Sequence, residues 1–93
     1  MKIVKLNGRF KQYREQRHTI AMRFDGYTSE AGVYERACHD RLPGSGNGWL
    51  RHGQWYSYYG ARPNTNSPRP YWITFRNEQD LTLVLLSIKK ETA

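Results

Sequence analysis

The chain has almost no cysteine and no long hydrophobic run. One cysteine, Cys38, stands among 93 residues, so no disulfide can form within the chain. The longest apolar stretch, 81–88, contains two hydroxyl residues and is much shorter than the roughly 20 residues that a membrane-spanning helix needs. Residues 1–5 include two lysines and lack the apolar core of a secretion signal. We therefore expect a cytoplasmic protein with no membrane partner.

Acidic residues are scarce in the N-terminal quarter. Residues 1–24 hold seven lysines and arginines against the single acid Glu15, a net charge of +6, whereas the whole chain carries +7. The positive field is therefore concentrated at one end of the sequence, which indicates an acidic partner surface.

The length and the aromatic content predict a single folded domain, 1–93. Two separate cores in 93 residues would each be too small to offset the entropy of the chain. Aromatic residues make up 14% of the sequence, so large rings are expected to build much of the core.

The N-terminal part of the chain predicts three strands. Asn7-Gly8 lies between two short runs, 2–6 and 9–13, and this residue pair favours a type I′ turn, so we expect an N-terminal hairpin. Apolar residues alternate with smaller or polar ones in 18–24, as in a strand with one buried face.

A helix and an aromatic strand pair are expected next. Thr28 or Ser29 can cap a helix, and Pro43-Gly44 can end it, which predicts a helix over 29–42. The glycine-rich segment 44–48 reads as a loop. Two aromatic and β-branched runs, 55–59 and 71–75, follow and have the length of strands. They predict an antiparallel pair that is joined by the proline-rich connection 61–70.

The C-terminal segment 81–88 has two possible structures. Its apolar residues fit one stripe of a helix, yet three of them with Thr82 also permit the alternation of a strand. We prefer the helix because Asn77 and Asp80 resemble a capping box before it.

These elements predict an α+β fold, with one antiparallel sheet and two helices packed on one of its faces. The order is also compatible with a ferredoxin-like split βαβ arrangement.

No group of residues has the spacing of a catalytic or metal site. Cys38, His39 and Asp40 include the residue types of a thiol-protease triad, but consecutive helical residues point about 100° apart. The three histidines and Cys38 lack the spacing of a zinc site. A metal-independent ribonuclease would need His18 close to His39 or His52, and nothing in the spacing brings them together. We expect no enzyme and no cofactor.

The binding residues are expected in the basic arm 9–18 and on the outer side of 55–59. Cations alternate with rings in the arm, a combination that suits single-stranded nucleic acid, although the arm could equally be a solvated surface. If Trp55 and Tyr59 face the core, Tyr56 and Tyr58 face outward and could act as binding anchors. The predicted binding residues are Arg9, Lys11, Tyr13, Arg14, Arg17, Tyr56 and Tyr58.

The segment 71–82 resembles a pattern in small accessory proteins of tailed bacteriophages, in which an aromatic strand leads through Asn-Glu-x-Asp into a short apolar helix. The resemblance covers about an eighth of the chain and identifies no functional residue. It implies a host-takeover or anti-defence factor, such as an anti-CRISPR protein or a polymerase inhibitor, located in the host cytoplasm.

Three functions therefore stay open. The first is a non-enzymatic protein that docks on a host protein or ribonucleoprotein complex and inhibits or modulates it. The second is a direct binder of single-stranded nucleic acid or RNA, and the third is a small ribonuclease. The sequence leaves the target and the oligomeric state undetermined.

Overall fold

The computed structural model describes residues 1–42, 55–61 and 69–92. In chain order the elements are β1 (Lys2–Lys5), α1 (Lys11–Gln16), β2 (Ile20–Phe24), α2 (Ser29–Arg41), β3 (Trp55–Tyr59), β4 (Tyr71–Phe75) and α3 (Glu78–Thr92). The four strands form one sheet in the order β1-β2-β4-β3, and every neighbouring pair is antiparallel. The predicted α+β class with a single antiparallel sheet is confirmed.

The centre of the sheet contains a split βαβ unit. β4 lies between β2 and β3 and is antiparallel to both, so β2 and β3 run in the same direction and are connected through α2. β1 occupies the edge beside β2 but precedes the unit in the chain. Among the described elements, the βαββαβ order of the ferredoxin-like fold is thus not complete, because no strand follows α3.

The main core lies between α2, α3 and one face of the sheet, which we call the core face. Alternation along the strands directs every second side chain of β2, β3 and β4 toward it. Trp55 is fully buried there, and its indole N–H donates to the carbonyl oxygen of Leu42 at 2.9 Å. The buried cluster consists of Ile20, Met22, Phe24, Ala31, Ala37, Cys38, Leu42, Trp55, Tyr71, Ile73, Phe75, Leu81 and Val84.

Both long helices begin at side-chain caps. The Thr28 hydroxyl accepts a hydrogen bond from the Ala31 N–H at 3.3 Å, and the Asn77 side chain accepts one from the Asp80 N–H at 2.9 Å. The helix predicted over 29–42 is confirmed, with Leu42 as its C-cap, and 81–88 is helical rather than extended. The strands predicted at 55–59 and 71–75 are also confirmed.

The predicted N-terminal hairpin is wrong. β1 pairs with β2, and most of the segment expected to be its partner forms α1. Asn7 does make a turn, since its side chain accepts from the Arg9 N–H at 2.9 Å and its carbonyl accepts from the Phe10 N–H at 3.0 Å. The turn leads into a helix because 11–16 consists mostly of Lys, Gln, Arg and Glu, which favour helices and not strands.

Two predicted loops lie wholly or mostly outside the described residues: all of 44–48, and 62–68 of the proline-rich connection. No helix within the described ranges has both the length and the apolar character that crossing a bilayer requires.

Candidate functional site

The second face of the sheet, which we call the α1 face, has a different composition from the core face. Strand register places Lys2 opposite Arg23, Arg23 opposite Trp72, and Trp72 opposite Tyr58. A single row across all four strands therefore consists of two cations followed by two aromatic rings. Tyr56 lies on the same face two residues from Tyr58, because side chains alternate along a strand.

The rings of Trp72, Tyr58 and Tyr56, which we call the ring row, stack on one another. Tyr58 and Trp72 are nearly parallel, with an interplanar angle of 5° and ring centroids 6.3 Å apart. Tyr56 stacks on Tyr58 with centroids 5.7 Å apart. The guanidinium carbon of Arg23 lies 5.9 Å from the centre of the Trp72 ring, within the range of a cation–π interaction. All three rings are partly exposed.

A glycine makes room for the indole. A Cβ atom at Gly60 would lie 2.8 Å from Trp72 Nε1 and 2.9 Å from a ring carbon of Pro70. Such contacts are too short to be accommodated without a shift, so position 60 must be glycine for Trp72 to keep its place.

The short helix α1 lies on the α1 face and is attached to it by three contacts. The Phe10 ring packs edge-on against Trp72, with centroids 5.8 Å apart. Gln12 Oε1 accepts a hydrogen bond from the Tyr58 hydroxyl at 3.2 Å. His18 Nδ1 and Thr74 Oγ1 are 2.6 Å apart in a buried hydrogen bond. Burial raises the pKa of Tyr58 to about 12, so its hydroxyl stays protonated as a donor at neutral pH.

The end of α1 is strained at a cation. Arg17 has φ 58° and ψ 30°, and within the described ranges it is the one non-glycine residue with positive φ. Its N–H bonds to the carbonyl of Tyr13 at 3.2 Å, and the His18 N–H bonds to that of Gln12 at 3.2 Å. Glycine usually occupies this left-handed position because a side chain there costs roughly 1–2 kcal/mol.

The cations of the arm are exposed to solvent. Since Gln12 faces the sheet and successive helical residues are rotated by about 100°, Arg14 lies on the far side of α1, whereas Lys11 and Tyr13 lie on its flanks. The side chains of all four cations in 9–17 are exposed, and Tyr13 is 40% exposed. Within the described part of the chain, ion pairs involve the N-terminal amine, Arg23 and His39, but no cation of this segment.

The structure thus brings the predicted arm and the predicted tyrosines to one face. Sequence reasoning missed four residues that organise this face, namely Phe10, Gln12, Arg23 and Trp72. The alternation that placed Tyr56 and Tyr58 outward also applies to 71–75, where Trp72 stands between two buried residues, and to 20–24, where Arg23 does.

Groups that could take part in nucleophilic or acid–base chemistry are not assembled. Cys38 is fully buried, and burial raises the pKa of its thiol, so a thiolate nucleophile does not form there. His39 packs edge-on against Trp55 on the core side, with ring centroids 4.8 Å apart, whereas His18 is buried on the α1 face. The sheet separates these two histidines, and His52 lies outside the described residues. In the described ranges, no three His, Cys, Asp or Glu residues are grouped to hold a metal ion.

Comparisons of the chain with protein-family models, with curated proteins and with solved structures found no match. The function must therefore be inferred from the chemistry of the α1 face itself.

Proposed function

We propose that this protein is a non-enzymatic binding protein whose α1 face takes a single strand of nucleic acid. The observation that carries the proposal is the cross-strand row of Lys2, Arg23, Trp72 and Tyr58, extended by the ring of Tyr56. Cations can neutralise phosphates at one end of this row, while the partly exposed rings accept bases at the other.

Charge repulsion on this face supports an anionic ligand. Lys2 and Arg23 stand directly opposite each other on neighbouring strands, an arrangement that destabilises a sheet unless an anion lies between the charges. Asp25 offers one carboxylate to Arg23 at 3.7 Å, but that carboxylate is almost fully exposed and contributes little. The cations of 9–17 add further positive charge on the same side of the sheet.

Unpaired bases fit these residues better than a duplex does. Stacking on a tyrosine or tryptophan requires an exposed base face, and base pairs inside a double helix hide theirs. Reading a duplex instead requires an element that enters a groove. The ring row lies on the surface of a sheet and offers stacking partners, whereas α1, the helix that the described residues place beside it, is six residues long.

A docked protein is the alternative ligand for the same face. Exposed tyrosines, tryptophans and arginines are the favoured anchors of protein interfaces. The predicted host target and the bacteriophage resemblance stay predictions, because no comparison bears on them.

The test is fluorescence anisotropy with labelled single-stranded oligothymidine and oligouridine at low salt. We expect Tyr56→Ala to weaken binding by about fivefold or more, because stacking contributes about 1–3 kcal/mol per base. The matched control is Tyr59→Ala. Tyr59 is on the same strand and is 52% exposed, but it points to the opposite side of the sheet.

Arg14→Glu in the same assay tests the arm. The variant is expected to weaken binding and to flatten its salt dependence, because each phosphate contact contributes about 0.7 to the logarithmic salt slope of a single strand. Arg69→Glu is the control from the proline-rich connection, where the Arg69 side chain already donates to the Gly60 carbonyl at 3.2 Å.

Equal losses for Tyr56→Ala and Tyr59→Ala, or no binding of either oligonucleotide at low salt, would contradict the proposal. A protein captured by the wild type but not by Tyr56→Ala, in the absence of oligonucleotide binding, would instead assign the face to a protein partner.

A further inference from the structure

The strand β1 lies at an edge of the sheet that the described residues form. Among the described strands it pairs with β2 alone, and its four residues are Lys2, Ile3, Val4 and Lys5. Three of them are exposed, including Ile3 at 49%, although Ile3 lies on the core face opposite the fully buried Met22. Within the described ranges, no helix covers this side of the strand and no neighbouring strand shields it.

Backbone geometry identifies which groups point outward. The Leu6 N–H donates to the Thr19 carbonyl across the β1–β2 pair at 2.9 Å. Backbone groups alternate in direction along a strand, so Lys2 and Val4 direct theirs toward β2, whereas Ile3 and Lys5 direct theirs away from the sheet. The outer edge thus presents two N–H and two C=O groups that a further strand could pair with.

The positive charge of β1 determines which kind of strand can pair with its outer edge. A second copy of this chain that paired through its own β1 would place lysines opposite lysines, because the strand Lys2–Lys5 contains no acid. Side chains directly opposite each other on neighbouring strands interact, with opposite charges favourable and like charges unfavourable. A strand that matches Lys-Ile-Val-Lys residue by residue has the order acid, apolar, apolar, acid. This order is the same in both directions, so it fits a parallel or an antiparallel partner.

We propose that the outer edge of β1 accepts an extended segment of a partner protein with this pattern, acid-apolar-apolar-acid, as a fifth strand of the sheet. The apolar residue opposite Ile3 covers its exposed side chain, and the two acids pair with Lys2 and Lys5. Strand addition of this kind gains affinity from the main chain and specificity from alternate side chains. The site shares Lys2 with the cross-strand row but includes none of the rings, and the proposal does not rest on the proposed nucleic-acid binding.

The probe is a short peptide containing Glu-Val-Val-Glu, and the matched control is the same peptide with Val-Glu-Glu-Val, which has equal composition and charge. We expect the first to bind and the second to bind at least about threefold more weakly, because each opposite pair contributes a few tenths of a kcal/mol to about 1 kcal/mol. Amide exchange measured by NMR should slow at Ile3 and Lys5 when the first peptide binds. The exchange of Lys2 and Val4, which already face β2, should change less.

Two substitutions sharpen the assignment. Ile3→Pro deletes an outward N–H without removing a hydrogen bond to β2. It should therefore lower the affinity for the peptide by about tenfold, which is more than Ile3→Ala should. Lys5→Glu should also lower the affinity for the peptide, by about threefold or more. Lys5 lies on the core face, and neither variant should change the affinity for oligonucleotides.

Equal binding of the two peptides would overturn the proposal. So would unchanged exchange at Ile3 and Lys5 in the wild-type protein saturated with the Glu-Val-Val-Glu peptide. This measurement needs no substitution, so it decides the question even if Ile3→Pro does not fold.

Discussion

The two faces of the sheet use aromatic residues in opposite ways. On the core face the rings of Trp55 and Phe75 are fully buried under α2 and α3. On the α1 face the rings of Trp72, Tyr58 and Tyr56 stay partly exposed, because the helix α1 that lies over them has only six residues. Both faces are held by the same strands, so the difference comes from what packs on each.

This difference separates rings that the fold requires from rings that it does not. A sheet with one buried face is stable with polar side chains on its other face. Three large rings beside a pair of cations on that second face exceed what stability needs, and such an excess is typical of binding surfaces.

The largest expected effect tests this separation directly. Trp55→Ala should lower the free energy of unfolding by about 3–5 kcal/mol, because it opens a cavity in the core and removes the hydrogen bond to Leu42. Trp72→Ala should cost less than half as much, since the indole is partly exposed. Urea denaturation followed by fluorescence measures both. Equal losses would show that the α1 face is a second core and not a binding surface.

A smaller effect is expected at the strained end of α1. Arg17→Gly should raise the free energy of unfolding by about 1 kcal/mol, because glycine adopts positive φ without a steric cost. The same change should reduce the salt slope of oligonucleotide binding by about 0.7.

Arg14→Ala is the matched control, because it removes one cation from α1 at a position with ordinary helical geometry. The salt slope of oligonucleotide binding should fall by the same amount in Arg14→Ala, but the free energy of unfolding should not rise. If Arg17→Gly is instead less stable than the wild type, the left-handed conformation is supported by contacts of the arginine side chain.

The smallest expected effect concerns the protonation of Tyr58. Its pKa is raised by burial from 10.0 to about 12, so the folded protein keeps a proton that the unfolded chain releases in this range. Stability should therefore fall as the pH rises from about 10 to about 12, and less steeply in Tyr58→Phe.

At pH 7 the same variant loses only the hydrogen bond to Gln12, at a cost of about 1 kcal/mol. Parallel alkaline losses in the wild type and Tyr58→Phe would mean that water reaches this hydroxyl freely.

Most of the framework could be predicted from local patterns. Helix α2 was predictable because its cap and its stop signal agree, and strands β3 and β4 because aromatic and β-branched residues dominate them. The outward position of Tyr56 and Tyr58 followed from alternation alone.

The fate of 9–16 could not be predicted, because it depends on contacts with distant residues. Asn7-Gly8 is a strong local signal for a hairpin, yet β1 pairs with β2, and Phe10 packs on Trp72, which is 62 residues away in the chain. The meeting of the arm with the ring row is a tertiary event, and no spacing in the sequence records it.

The size of α1 has a consequence for the dynamics of this face. A helix of six residues does not persist by itself in water, and its first residue follows Phe10, whose side chain provides no cap. Its persistence depends on the Phe10 and Gln12 contacts with the ring row and on the hydrogen bond of His18. We expect α1 to open in local fluctuations of lower free energy than global unfolding, and amide exchange in 14–17 should report this. Each opening uncovers the part of Trp72 that Phe10 contacts and frees the Tyr58 hydroxyl, so the surface offered to a ligand is larger in the open state than in the closed one.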